Sequence, residues 1–120
     1  MEGSWGADFF MMEPSADEPI VDKHHYSGFI GTSLHDVLQA HHIETLVITG
    51  VATNVCVDST LRDGFFMGYY IVLLEDCVGS NSAPGHNGTL ATVRNNIGFV
   101  ISSTVWIEHL PRQQREWNAV

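Results

Sequence analysis

The sequence predicts an α/β protein of three layers, a parallel sheet with helices on both faces. Three observations carry this. Short apolar runs at residues 45–49, 70–74 and 99–101 have the length and content of buried strands. The stretches between them are long enough for a helix and place apolar residues at helical spacing. The links are short, so strand–helix–strand–helix–strand implies right-handed βαβ units.

Residues 1–18, punctuated by Gly3, Gly6 and Pro14 and followed by Pro19, read as irregular. A short extended piece follows at 20–23. Thr32 or Ser33 can cap a helix whose Leu34, Val37 and Leu38 share one face, with His41 and His42 near its end. Strand 45–49 runs into Gly50. A helix over about 53–67 has Val57, Leu61 and Phe65 at i, i+4 spacing, an Asp58–Arg62 pair and a stop at Gly68. The run 70–74 is nearly continuous in apolar residues, as a strand covered on both faces requires. Pro84 can open a helix with Leu90, Val93 and Ile97 inward, ended by Gly98. Strand 99–101 follows. Residues 104–110 are apolar without a clear period. The chain divides into a domain over 1–110 and a polar tail over 111–120.

Composition limits the function classes. A chain of 120 residues makes one domain, and 44% hydrophobic content is enough for a packed core. Five basic against fourteen acidic residues give a net charge of −9 with no basic patch, which argues against nucleic acid and anionic membranes. No apolar run approaches the roughly 18 residues of a membrane span. The first residues, MEGSWGADFF, lack the basic segment of a secretory signal. Two cysteines, Cys56 and Cys77, are expected as reduced thiols in a cytoplasmic protein, with Cys77 structural. His24–His25 and His41–His42 are adjacent pairs, and His35 and His42 lie near one helical face without a third ligand. No metal-ligand spacing occurs, so neither a metal nor another cofactor is expected.

The run TLVITGVATNVCV carries the chemistry. It places Cys56 in the first turn of a helix, just past the end of a parallel strand, where sites of such sheets lie. First-turn N–H groups have no intrahelical partner, and the helix dipole adds about half a positive charge. Both favour thiolate over thiol, and the same N–H groups can hold an oxyanion. A lone helical cysteine is otherwise commonly a small buried hydrophobe.

TGVATNVCV and STLRDGFF, with KHHYSGFIGTSL upstream and GYYIVLLEDC downstream, resemble the isochorismatase-like cysteine hydrolases. That superfamily includes nicotinamidases, N-carbamoylsarcosine amidases and ureidoacrylate amidohydrolases, and the spelling is most similar to the ureidoacrylate branch of pyrimidine degradation. The resemblance implies a Cys–Asp–Lys triad with Cys56 as nucleophile and Lys23, the one lysine of the chain, as its lysine. It implies an oxyanion hole from the N–H groups of Ala52 and Cys56, a cis peptide at Val51–Ala52, and Tyr26, Phe29 and Asn54 as pocket residues. The triad aspartate of the family lies on its first strand, and nothing here matches it: Asp8, Asp17 and Asp22 fall too late in the pattern. The family's sheet has order 3-2-1-4-5-6, so the resemblance implies a chain without the first two strands.

Two functions follow as expectations. The first is a cysteine amidohydrolase for a small amide or carbamoyl substrate, ureidoacrylate-like, impaired by loss of the aspartate. The second is a non-catalytic binding or assembly domain, in which exposed apolar surface is covered by a second copy or by a missing N-terminal part.

Overall fold

The computed structural model describes residues 12–110. The elements are α1 (Leu34–Ala40), β1 (Thr45–Val51), a five-residue wide turn of helix (Thr53–Val57) leading into α2 (Asp58–Phe66), β2 (Tyr70–Gly79), α3 (Ala83–Thr92) with a second wide turn (Val93–Ile97), β3 (Phe99–Ile101) and α4 (Ser103–His109). The three strands form one parallel sheet in the order β1-β2-β3, so the α/β class and the βαβ connections expected from the sequence are present. Among the described residues, the outer side of β1 has no strand beside it.

Side chains alternate across a strand, and the register shows which ones share a face. Leu46 pairs with Ile71, Ile48 with Leu73, and Leu73 with Val100. Leu46, Ile71 and Leu73 pack with Leu61 of α2, Leu90 of α3 and Val93 in the main core, with Ile48, Val100 and Leu34 and Leu38 of α1 at its margin. Leu61, Leu73 and Val93 are fully buried. On the other face Val72 and Leu74 are buried too. Asp76, on that same face, ties down the start of α4.

Several expectations shift in detail. Val57 and Leu61 face inward, but Phe65 is 38% exposed. Gly64 takes its place: a Cβ there would stand 2.9 Å from Leu46 Cδ1 and 3.3 Å from Phe29, so α2 meets the sheet through a glycine. The ambiguous run 104–110 lies in α4 up to His109, a helix capped by Ser102, whose hydroxyl accepts from the Val105 N–H. Residues 20–23 belong to no strand, since a strand needs a hydrogen-bonding neighbour and none stands beside them among the described residues. Gly98 does follow the helical stretch, but its backbone is extended (φ −170°). Glycine is needed there because a Cβ would collide with the Ile71 carbonyl oxygen.

β2 also runs further than its apolar core. Ile48 pairs with Leu73 and Gly50 with Val78, so four residues of β2, 74–77, stand opposite Thr49 alone. Within that excursion the Ser103 hydroxyl and N–H both donate to the Asp76 carboxylate, at 2.5 and 2.8 Å. They hold it below the usual carboxylate range, the hydroxyl most. A carboxyl with a lowered folded value adds stability above its unfolded value, and loses it as pH falls through the folded one. Asp76→Asn is therefore expected to lower the melting temperature at pH 7. The difference should shrink as the pH falls below about 4, which thermal melts across pH will check.

Candidate active site

The site is built where β1 ends. Gly50 takes φ +116°, a conformation that residues with a Cβ rarely adopt, and turns the chain out of the strand. The next bond, Val51–Ala52, is cis, at the position the sequence resemblance implied. The turn Thr53–Val57 follows at once. Its preceding residue, Ala52, offers no side-chain cap, while the Ala52 carbonyl accepts from the N–H groups of Val55 and Val57 at 3.0 and 3.1 Å.

Cys56, partly buried, opens onto a cleft of about 320 Å³. Lys23, Gly28, residues 47–51, Val57 and Thr60 line it with the cysteine. The structure thus brings Lys23 and Cys56, 33 residues apart in sequence, to one cavity. The Lys23 ammonium donates to the His25 carbonyl at 2.6 Å, which orients the side chain. The segment after it is fixed to α2, because the Gly28 N–H donates to Thr60 Oγ1 at 2.9 Å.

The other residues singled out from sequence lie elsewhere. Ala52 adjoins the cleft through Val51 but is not part of its lining. Tyr26 is 67% exposed. Phe29 sits in the core with its ring 6.0 Å from that of Tyr69. Asn54 Oδ1 accepts from the Ser80 hydroxyl at 2.6 Å, so its amide turns toward the end of β2. The structure adds residues that sequence reasoning missed. Thr53 Oγ1 lies 2.8 Å from His86 Nδ1, and Ser80 and Ser82 continue the contact toward α3. No spacing signal links positions so far apart. Only the Ser82 cap ahead of Pro84 could have been read locally.

A slightly larger cavity, about 400 Å³, lies at the other end of the strands between Gln39, Glu44, Tyr69 and Tyr70. It is lined by no thiol, and ligands of parallel sheets bind at the carboxyl ends. The Cys56 cleft is therefore the better candidate despite its smaller volume. Among the described residues, no group of three or more His, Cys, Asp or Glu side chains could hold a metal ion.

A family model described as the isochorismatase domain matches residues 1–105. The chain belongs to the isochorismatase family. Ureidoacrylate amidohydrolase RutB of Acinetobacter baylyi is 34% identical over 116 residues, which is 95% of this chain and 47% of that protein. The chain thus spans about half the length of this curated relative. An isochorismatase-like hydrolase from Alkaliphilus metalliredigens superposes with a TM-score of 0.84 at 36% identity, over 88% of this chain and 59% of that one. N-carbamoylsarcosine amidase from Thermoplasma acidophilum gives 0.77 at 33% identity, over 86% of this chain and 59% of that one. The three-stranded parallel sheet with its helices is shared with these isochorismatase-like neighbours.

Proposed function

We propose that this isochorismatase-family chain supplies the nucleophile, a neighbouring ammonium and the oxyanion donors of a cysteine amidohydrolase. The substrate class is a small amide or carbamoyl compound of the ureidoacrylate kind, which its relative's name supports; pyrimidine degradation is the setting that the sequence resemblance implies. One observation carries the reading: Cys56 and the single lysine, Lys23, line the same cleft at the carboxyl end of β1.

The Cys56 sulfur attacks the carbonyl carbon and forms a C–S bond. The carbonyl electron pair moves to oxygen, where the N–H groups of Ala52 and Cys56 meet it. The pair returns, the C–N bond breaks, and the departing nitrogen takes up the proton that the thiol lost. Water then attacks the thioester or thiocarbamate and frees the sulfur. Among the described residues, none lining the cleft is a carboxylate or an imidazole. The proton acceptor therefore comes from outside these residues, the role that the resemblance gives to an aspartate, and a chain without such a group should turn over slowly. Free Cys56 and Cys77 suit a reducing, cytoplasmic compartment.

A single-turnover experiment tests this directly. The protein is mixed with ureidoacrylate, quenched in acid and mapped by mass spectrometry. A carbamoyl-type mass increment on the peptide containing Cys56 is expected; an increment on another residue, or none, ends the covalent reading.

A second reading, an assembly domain, is favoured by one feature. Tyr70 and Phe99, on the same face of the sheet as Val72, are 71% and 70% exposed. Large apolar side chains exposed on a sheet commonly mark an interface. Sedimentation at rising concentration is expected to show self-association. A monomer that turns over substrate would remove the assembly reading.

A further inference from the structure

The turn that presents Cys56 is held from outside its own helix. Thr53, its first residue, is fully buried, and its hydroxyl is joined to His86 Nδ1 at 2.8 Å. The next residue, Asn54, accepts from the Ser80 hydroxyl at 2.6 Å. Ser80 Oγ in turn accepts the Ser82 N–H at 3.1 Å, and Ser82 Oγ accepts the Gly85 N–H at 3.1 Å. The two sides are in close contact. A Cβ on Gly85 would stand 2.7 Å from the Asn54 amide carbon, so α3 approaches the turn through a glycine. The turn has no side-chain cap of its own at Ala52, so this is the side-chain hold on its first residues.

We propose that His86 is a positioning residue for Cys56, acting through Thr53. The inference rests on the reading of Cys56 as nucleophile. Thr53 and Cys56 are three residues apart and so nearly one helical turn apart. A shift of the Thr53 backbone is carried through the chain to the Cys56 sulfur and N–H. Either imidazole tautomer serves: Nδ1 accepts the hydroxyl proton, or Nδ1–H donates to the oxygen. Reactions that depend on orientation lose much rate for small displacements, up to about a hundredfold for 1 Å. A clasp that adds little to global stability can therefore govern reactivity.

Alkylation of the full chain by iodoacetamide tests this, with Cys56 and Cys77 followed separately by peptide mass spectrometry at neutral pH. Cys77 is exposed and outside the cleft, so it serves as the internal reference. In the unchanged protein Cys56 should react faster than Cys77. His86→Ala should lower the Cys56 rate about tenfold and leave Cys77 unchanged. His86→Asn, whose amide nitrogen stands near the place of Nδ1, should recover most of the loss, which a merely structural role would not predict. Thr53→Val keeps the buried shape without the hydroxyl and should match His86→Ala even if the latter is poorly folded, as melting curves will show. If Cys56 is fast and both variants leave it within twofold of the parent, the positioning role is overturned and the nucleophile stands. If Cys56 reacts no faster than Cys77 in the unchanged protein, the proposed function falls and this inference falls with it.

Discussion

Cys56→Ala is expected to abolish turnover of ureidoacrylate-like compounds, by about a thousandfold or more. The loss should be complete because no substitute stands in the cleft. Thr49 and Thr60 bring hydroxyls to it, but a hydroxyl needs a base, and Thr60 Oγ1 already accepts the Gly28 N–H. Cys77, the other thiol, is exposed and does not line the cavity. The variant should keep its fold. Cys56 is only partly buried and outside the main core, so truncation costs on the order of 1 kcal/mol. Turnover measured beside a melting curve separates the two effects. Undiminished activity in a folded variant would remove Cys56 from the chemistry.

Lys23→Met is expected to lower the same turnover a few-fold, because Lys23 lines the Cys56 cleft from an exposed position where solvent screens its charge. Methionine keeps much of the stem and removes the ammonium. In the proposed mechanism the charge is the relevant property, because a thiolate would attack and the described residues of the cleft are otherwise apolar or neutral. Lys23→Arg retains the charge but changes its reach from the His25 carbonyl, now held at 2.6 Å. It should recover part of the rate. If Met and Arg lose equally, the lysine acts by geometry rather than charge. If Met loses nothing, Lys23 has no part in the reaction. Added salt should slow the parent and affect the methionine variant less.

The sequence made some parts of this molecule readable for identifiable reasons. The strands around Leu46, Ile71 and Val100 are short apolar runs between glycines and polar turns, and local pattern is enough to find them. Asp58 and Arg62 are four apart on one helix and form the expected pair, at 2.8 Å. Cys56 was legible from the local strand–turn–helix pattern, but Lys23 and its pairing with Cys56 came only through the family resemblance, since no local rule joins positions 33 apart. Phe65 shows where periodicity misleads. The i, i+4 stripe was right for two steps, and then the close approach of α2 to Leu46 selected Gly64 instead. α4 was ambiguous because none of its residues is buried, so it has no apolar stripe to read. The contact of Thr53 with His86 was invisible because it depends on where βαβ packing places the start of α3.

The excursion of β2 opposite Thr49 bears on the length of the chain itself. Residues 74–77 look like spare length, since a strand without them could pair with β1 without a break. They nevertheless set how far β2 travels before Gly79 comes level with Val51 and Ser80 reaches Asn54. They also supply Asp76, the anchor of α4. Shortening this stretch would tidy the ladder while pulling α3 out of phase with the turn that carries Cys56. The apparent irregularity works as a ruler, and its length is less free to vary than the exposure of Glu75, Asp76 and Cys77 would indicate.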